Sequence, residues 1–330
     1  MRLKEPVAVG GLRLDNRLVL PPMATKKSTP EGLVTEDLKE YYRQRAEGGC
    51  LGLVITEHSF VTQQGKASPQ QMSMADDRAV PGLRELTDLL HENGCRVFAQ
   101  ISHAGGMAQP ECTGMEAVAA SAVQNPGAPV QGIIPRPLTV PEIQDVVERF
   151  VEAACRVKAA GFDGVEVHSA HAYLLNEFYS PLTNRRTDEY GGSLENRLRI
   201  HREIIRGIRE RLGEDYPIAV RLGGCDYMAG GNTPEDAAAA CRILEAEGVA
   251  LLDISGGMCR YIRKDCTDAG YFADTSAAVK RSVKTPVLLT GGITAAAQAE
   301  ELLQRGAADL IGVGRALLQN AAWAREAMNI

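Results

Sequence analysis

The chain has 330 residues, of which 45% are hydrophobic and 24% are charged, and its formal net charge is −6. This composition is typical of a globular protein with a large core, and the negative charge disfavours a general nucleic-acid binder, which needs a basic surface. The sequence has no run of about 20 apolar residues, the length that a membrane-spanning helix needs, and its first residues lack the pattern of a signal peptide. Eight scattered cysteines form no CxxC pair. We therefore predict a cytoplasmic protein with neither a nucleic acid nor a membrane as partner.

The chain begins with a predicted hairpin and continues as repeated helix–strand units. Residues 7–14 read as two short strands around a Gly-Gly turn, which predicts an N-terminal β-hairpin. After it, an amphipathic helix, a glycine near its end and a short apolar strand recur six times. Glycine suits the left-handed conformation that closes a helix. The glycines of these joints are Gly48, Gly94, Gly161, Gly213, Gly248 and Gly306.

Helix starts are also readable from the sequence. Thr139 and Thr233 each begin a capping box, and Ser193 fits a simple N-cap. With residues 17–20 and 286–290 the chain has eight strands that alternate with helices, which is the count of a (β/α)₈ TIM barrel. A doubly wound sheet usually has a Gly-x-Gly-x-x-Gly turn after its first strand, whereas Pro-Pro-Met-Ala-Thr follows here. We predict an α/β fold, a TIM barrel with an N-terminal hairpin, as one domain over residues 1–330.

Polar side chains collect where the predicted strands end, the location of function in this fold. Four of the six histidines of the chain fall there, namely His58, His103, His168 and His171. Scattered surface histidines would rarely collect in this way. The pattern favours a functional rim.

The fourth strand is the most informative of these ends. It runs into His168, and His171 and Tyr173 follow. Two imidazoles and a phenol can bind a substrate oxygen and deliver a proton. A metal site that includes Glu166 is an alternative, although no third ligand stands at a standard spacing. A buried structural histidine pair is another.

Two polar residues interrupt apolar strands. Arg221 lies in the fifth strand, where an unpaired charge is costly, so it needs an anionic partner. That partner is either a carboxylate from a neighbouring strand or the N1/C2 carbonyl edge of a reduced flavin. Gln100 ends the third strand, and its amide both donates and accepts, as the edge of a flavin pyrimidine ring requires.

The ends of the seventh and eighth strands are glycine-rich. Gly291 and Gly292 follow the seventh strand, and Gly314 and Arg315 follow the eighth. Backbone N–H groups and a guanidinium at these two ends are the usual phosphate site of a TIM barrel. Two tight turns beside a surface arginine are the alternative.

Together these motifs resemble the Old Yellow Enzyme family of FMN-dependent oxidoreductases, in its NADH:flavin oxidoreductase / NADH oxidase branch. The resemblance covers almost the whole chain. Its most specific part is residues 168–197, from His-Ser-Ala-His-Ala-Tyr to Gly-Gly-Ser-Leu-Glu-Asn-Arg. Residues 16–23, 100–105, 220–222 and 314–315 agree in order and spacing.

The resemblance implies non-covalent FMN, with NADH or NADPH as electron donor, and the reduction of the activated C=C bond of α,β-unsaturated carbonyl compounds. His168 and His171 would bind the carbonyl oxygen, and Tyr173 would supply a proton. Gln100 and Arg221 would bind the pyrimidine edge of the flavin. The remaining cofactor contacts would be Pro21, Pro22, Met23, Ala24, His58, Gly291, Gly292, Gly314 and Arg315.

Departures from the family pattern refine these expectations. The sequence has no cysteine-rich segment for an iron–sulfur cluster, so a single-domain form that uses only FMN is expected. Ala24 stands where some relatives tether the flavin through a cysteine. Lys26 stands near the position of a substrate-contacting tyrosine in small bacterial relatives, and is a predicted substrate contact. Three further cations follow the sixth strand: Arg260, Arg263 and Lys264.

Those cations suit either an anionic substrate or an ordinary solvated loop. Three other functions stay open: a flavin oxidase or demethylase acting on an amine, a flavin electron-transfer or redox-sensing protein, and a non-redox barrel enzyme such as an aldolase or isomerase. The expected partner is a small molecule, and a homo-oligomer is possible.

Overall fold

The computed structural model describes residues 1–129 and 132–329. Eight parallel strands form a closed barrel in which each strand pairs with the next along the chain. Closure comes from the last strand pairing with the first, through Ile311 with Leu18 and Gly312 with Val19. The barrel strands are β1 (Leu18–Leu20), β2 (Leu53–Phe60), β3 (Arg96–Ser102), β4 (Gly164–Ser169), β5 (Ile218–Cys225), β6 (Leu251–Gly256), β7 (Val287–Thr290) and β8 (Leu310–Gly312).

Helices surround the barrel, and their predicted starts are confirmed. Thr139 and Thr233 make capping boxes, with Glu142 and Asp236 as the reciprocal partners. The helices are α1 (Glu36–Ala46), α2 (Val80–Glu92), α3 (Pro110–Thr113), α4 (Val140–Ala159), α5 (Leu174–Tyr179), α6 (Leu194–Arg197), α7 (Arg199–Leu212), α8 (Pro234–Ala246), α9 (Ala273–Lys280), α10 (Ala296–Gln304), α11 (Arg315–Gln319) and α12 (Trp323–Met328). Of the described helices, none is both long and apolar enough to cross a lipid bilayer.

The predicted hairpin is present and closes the N-terminal end of the barrel. Val7–Val9 pairs antiparallel with Leu12–Leu14. Gly10 and Gly11 turn the chain with φ of 53° and 81°, the left-handed backbone that a two-residue hairpin turn requires. The hairpin buries Val9 and Leu14 in an apolar cluster with inward side chains of the strands. These are Val19, Leu53, Ile55, Phe98, Ala219, Leu251, Leu288 and Leu310.

The predicted TIM barrel is therefore confirmed, with one difference in strand bounds that affects the site. The sequence placed Glu57 and His58 after the second strand, but β2 continues to Phe60. Its pairing with β3 shifts register between Thr56 and Ser59, and this irregularity lets the strand carry polar residues before it ends. The organisation as one FMN-binding domain stays a prediction.

Candidate active site

A cavity of about 520 Å³ opens at the C-terminal ends of the barrel strands. Its size lies in the ordinary range of small-molecule and cofactor sites. Every residue that the sequence predicted to bind cofactor or substrate lines this one cavity. They are Pro21, Pro22, Met23, Ala24, Lys26, His58, Gln100, His168, His171, Tyr173, Arg221, Gly291, Gly292, Gly314 and Arg315.

The three predicted catalytic side chains meet on one wall. The ring centroid of His168 lies 5.1 Å from that of His171 and 5.2 Å from that of Tyr173. The Tyr173 hydroxyl also lies 3.3 Å from Nε2 of His58. We call His168, His171 and Tyr173 the clamp.

The backbone of the clamp is held in an uncommon conformation. His171 and Ala172 have φ of 60° and 66°, which costs about 1–3 kcal/mol for a residue other than glycine. Hydrogen bonds stabilise it, because the Ala172 amide donates to Asn176 Oδ1 at 2.8 Å and the His171 amide donates to the Gly256 carbonyl at 3.1 Å. Asn125 Nδ2 donates to the Ala172 carbonyl at 2.8 Å. This turn is what lets His171 and Tyr173 face the same space as His168.

Burial sets the protonation of the clamp. It holds the pKa of both His168 and His171 well below the usual histidine value, and the nearby Arg221 charge adds to this effect. Both imidazoles are therefore neutral at neutral pH, and each has one N–H to donate. Burial also raises the pKa of Tyr173 to about 12, so its phenol keeps its proton.

Ser255 fixes which nitrogen of His171 is available. Its Oγ lies 2.7 Å from His171 Nε2, so Nδ1 is the nitrogen left for a ligand. When the Ser255 hydroxyl donates to Nε2, the proton of the neutral imidazole sits on Nδ1 and can be donated into the cavity.

A buried charged network lies beneath the cavity. Arg221 Nε is 3.1 Å from Asp253 Oδ2 on the adjacent strand, although the N–H does not point along a hydrogen bond. Gln100 Nε2 donates to Glu166 Oε2 at 2.6 Å. Burial, followed by the Asp253 charge, raises the pKa of Glu166 to about 8, and burial raises that of Asp253. The carboxylate partner considered for Arg221 is therefore present, and Arg221 also reaches the cavity.

The opposite end of the cavity is built from close backbone approaches. A Cβ atom at Gly312 would lie 2.0 Å from Thr290 Oγ1, and one at Gly314 would lie 2.6 Å from the sulfur of Met23. Arg315 Nη2 donates to the Tyr271 hydroxyl at 3.1 Å. Thr290 Oγ1 is buried and makes no hydrogen bond within the described part of the chain.

These residues fit FMN. The glycine loops with Thr290 and Arg315 would form a cradle for its phosphate, where a Cβ atom at Gly312 would clash with Thr290. At the other end, Gln100 and Arg221 offer polar hydrogens to a flat heterocycle, beside the apolar residues 21–24. Bound FMN would be held between these two groups.

Two residues that the sequence placed on the functional rim lie elsewhere. His103 does not line the cavity; it is buried, and its Nδ1 accepts from the Gly105 amide at 3.0 Å. The chain turns directly after β3, so a residue past the strand end no longer follows the strand alternation. Glu57 also lies outside the cavity and accepts from the Thr25 amide at 3.0 Å.

The metal alternative finds no support in residues 1–129 and 132–329, where no group of three or more His, Cys, Asp and Glu side chains could hold an ion.

Other cavity residues were not predicted as ligands. Ser255 lies two positions after Asp253, so strand alternation could have found it. The rest are Tyr261, Tyr271, Phe272, Thr290, Ile293 and Gly312. Arg260, one of the three cations for which the sequence left an anionic substrate open, also lines the cavity.

Comparisons with known proteins identify the family of the chain. The model of the NADH:flavin oxidoreductase / NADH oxidase family matches residues 2–329. The chain is 40% identical over 325 residues to an NADH oxidase of Thermoanaerobacter brockii, covering 97% of this chain but only 49% of that protein. It is 39% identical over 323 residues to an NADPH dehydrogenase of Geobacillus thermodenitrificans, covering 97% and 92%.

A solved structure is similar along the whole chain. It is an old yellow enzyme homologue from Zymomonas mobilis, with a TM-score of 0.87, 29% identity and coverage of 100% of this chain and 93% of the other. The family, the FMN cofactor and the NADH or NADPH donor predicted from the sequence are thereby confirmed at the level of the family. The chain belongs to the NADH:flavin oxidoreductase / NADH oxidase family, the family of Old Yellow Enzyme.

Proposed function

We propose that this protein is an NAD(P)H-dependent ene-reductase that reduces the activated C=C bond of α,β-unsaturated carbonyl compounds. The observation that carries the proposal is the convergence of two neutral imidazoles and a protonated phenol on one wall of the cavity. An electron-transfer protein has no use for such a clamp.

The clamp residues have distinct roles in this proposal. FMN, when bound and reduced by NADH or NADPH, would supply a hydride for the substrate Cβ. His168 and His171 donate N–H hydrogen bonds to the carbonyl oxygen, where negative charge grows. A donor of this type contributes about 3–4 kcal/mol to the transition state. Tyr173 donates its phenolic proton to Cα, and Ser255 holds His171 in the donating tautomer.

The activity is tested with purified holoenzyme under anaerobic conditions. NADH or NADPH should bleach the FMN absorbance, and 2-cyclohexen-1-one should then restore it and yield cyclohexanone. In D₂O with unlabelled donor, the product should carry deuterium at Cα. An amine that bleaches the FMN while the enone fails to restore it would favour the amine oxidase instead, and a protein that binds no FMN would favour a non-redox enzyme.

The clamp itself is tested by binding of a phenol to the oxidised holoenzyme, since a phenol places its oxygen where the enolate oxygen forms. His168→Ala and His171→Ala should each weaken binding at least tenfold. His91→Ala is the matched control, because His91 pairs with Asp163 at 2.8 Å and does not line the cavity. Unchanged binding in both clamp variants would refute the assignment of the carbonyl site.

We also propose a small-molecule substrate and a cytoplasmic location. All eight cysteines are free thiols, which suits a reducing compartment. A homo-oligomer stays a prediction, testable by light scattering.

A further inference from the structure

The cavity is lined by cations and by no carboxylate among the described residues. The four cations are Lys26, Arg221, Arg260 and Arg315. Arg221 is paired with Asp253 below the cavity, and Arg315 lies at the glycine cradle and donates to Tyr271. Lys26 and Arg260 remain, and in the described chain neither makes an ion pair.

Arg260 lies on the clamp side of the cavity. Its guanidinium carbon is 5.2 Å from the ring centroid of Tyr261, and the Tyr261 ring packs edge-on against His171 with centroids 5.9 Å apart. The Arg260 charge also acts on the clamp: burial raises the pKa of Tyr173 and Arg260 partly offsets this, while burial lowers the pKa of His171 and Arg260 adds to that effect. Its Nε is buried and has no hydrogen-bond partner within the described residues. An N–H of a cation left without an acceptor is costly unless a ligand supplies one.

The neighbouring cations of the same loop behave differently. Arg263 is neutralised by Asp265 at 2.8 Å and Asp274 at 3.1 Å. Lys264 is exposed and does not line the cavity. The general positive charge of the loop is therefore either paired or solvated, and Arg260 is the one cation of segment 260–264 that faces the cavity.

Lys26 enters the cavity from the other side, after β1. Its φ of 57° is in the left-handed region, and the carbonyl of the adjacent Lys27 accepts from the Thr35 hydroxyl at 2.5 Å. Lys26 is exposed and lines the cavity. Lys27 does not line it.

We propose that Arg260, assisted by Lys26, forms a subsite for a carboxylate of the unsaturated substrate, so that the preferred substrates are anionic enones and enoates. This inference rests on the proposed function and specifies its substrate class. The clamp binds the carbonyl oxygen conjugated to the C=C bond, and the subsite binds a second, negatively charged group of the same molecule. A guanidinium matches a carboxylate with two parallel N–H donors. The place of Arg260 beside the clamp favours a group on a small substrate over the distant phosphates of a large one.

A matched ligand pair tests the subsite by binding alone. 4-Hydroxybenzoate and 4-hydroxybenzamide have almost the same shape, and each can place its phenol oxygen in the clamp, but only the first carries a carboxylate. The oxidised holoenzyme should bind the benzoate at least tenfold more tightly than the benzamide. The 3-hydroxy isomers of the two compounds are compared in the same way, in case the carboxylate of the 4-hydroxy isomer does not reach Arg260. Arg260→Gln should reduce this preference at least tenfold, and Arg260→Lys should restore part of it.

The controls separate a local subsite from general attraction. Lys264→Gln removes the same charge from the same loop outside the cavity, and should change the preference less than twofold. Lys26→Met is a second variant, expected to reduce the preference less than Arg260→Gln does, and it tests the subsite even if Arg260→Gln fails to fold. Equal binding of benzoate and benzamide by the parent protein, for both isomers, would overturn the proposal.

Turnover of a matched substrate pair provides a second test of the subsite. The ratio of kcat/KM for 4-oxo-2-pentenoate over that for its methyl ester should fall at least tenfold in Arg260→Gln. The ratio cancels any general effect of Arg260 on Tyr173. If neither compound reoxidises the reduced enzyme, the ene-reductase function fails while the binding preference still decides the subsite.

The same variants distinguish a substrate carboxylate from two other anionic groups that Arg260 could bind. If Arg260→Gln weakens only NADH or NADPH binding in the reductive half-reaction, the cation serves the nucleotide and the proposal is wrong. If it lowers the kcat/KM of crotonyl-CoA but leaves the ratio for the small pair unchanged, the anion recognised is a coenzyme phosphate, which also contradicts the proposal.

Discussion

The two ends of the barrel each carry a concave surface, and they differ in chemistry more than in size. The cleft at the N-terminal end, beside the hairpin, has a volume of about 600 Å³, comparable with about 520 Å³ at the C-terminal end. Its cation Arg209 is fully engaged, with Glu214 at 3.3 Å and with the Glu247 carbonyl at 3.1 Å. At the other end Arg260 Nε, Thr290 Oγ1 and His168 Nδ1 are buried and, in the described chain, without partners. Unsatisfied polar atoms rather than volume mark the end that binds ligands.

The largest effect should come from removing the proton donor at the C-terminal end. Tyr173→Phe should slow enone reduction by about 10²–10⁴-fold, because general acid catalysis contributes by that amount. Reduction of the FMN by NADH should change little, and stopped-flow absorbance separates the two half-reactions. Tyr216→Phe is the control, since its hydroxyl donates to the Phe162 carbonyl away from the cavity. An equal loss in both half-reactions would show that Tyr173 is structural.

The next largest effect is expected at the N-terminal end, where a substitution should reduce stability and leave ligand binding unchanged. Phe98 is fully buried in the apolar cluster under the hairpin, so Phe98→Ala should lower the free energy of unfolding by about 3–5 kcal/mol. Urea denaturation measures this, and phenol binding to the folded holoenzyme should be unchanged. Phe98→Leu should cost much less. A Phe98→Ala variant as stable as the parent would show that this end is not the stabilising one.

A smaller effect sharpens the role of Ser255. Ser255→Ala removes the group that sets the tautomer of His171, and should weaken phenol binding by up to about tenfold, the usual worth of one hydrogen bond. The chain offers a matched control: Ser169 Oγ lies 2.6 Å from Nε2 of His201, a buried serine–histidine pair outside the cavity. Ser169→Ala should reduce stability without changing phenol binding, and similar effects of both variants on binding would contradict a positioning role.

The smallest expected effect is a pH profile that stays flat. An ordinary histidine has a pKa near 6.5, but burial holds the pKa of His168 and His171 well below that value and lowers that of His58 to about 4. Because their pKa values are lowered, these histidines stay unprotonated in the folded protein at a pH at which they gain protons in the unfolded chain. The enone half-reaction should therefore change less than twofold between pH 5.0 and 6.5, while the contribution of these three histidines to stability decreases as the pH is lowered through that window. A sigmoid rate profile centred near pH 6 would show that a clamp imidazole titrates.

Much of the fold was predictable because it repeats. Glycine-closed helices, capping boxes and apolar strands each report local chemistry, and eight repeats leave few architectures. The cavity side chains were predictable where they lie on strands, since period-two alternation places Gln100, Arg221 and His168 on the inner face. His103 was misplaced because it lies just past a strand end, where alternation no longer applies.

Other parts of the site could not be read from the sequence. Tyr271 reaches the glycine cradle because the segment after β6 folds back over β7, so that its ring would touch a Cβ atom at Gly291 or Gly292 at 2.9 Å. Nothing in local spacing specifies that return. Likewise, only the packing shows that Arg263 is paired and Arg260 is not.

The hydrogen bonds of Asn125 connect the clamp to a segment that is distant in the sequence. One side-chain amide of Asn125 donates to the Ala172 carbonyl at 2.8 Å and to Glu177 Oε1 at 2.6 Å. Glu177 in turn accepts from the Gly106 amide at 3.1 Å. Segment 105–125 and the turn that carries His171 therefore form one cooperative unit. An engineer who grafts a new loop between β3 and α4 also rebuilds the support of the clamp, so Asn125 and Glu177 must be kept.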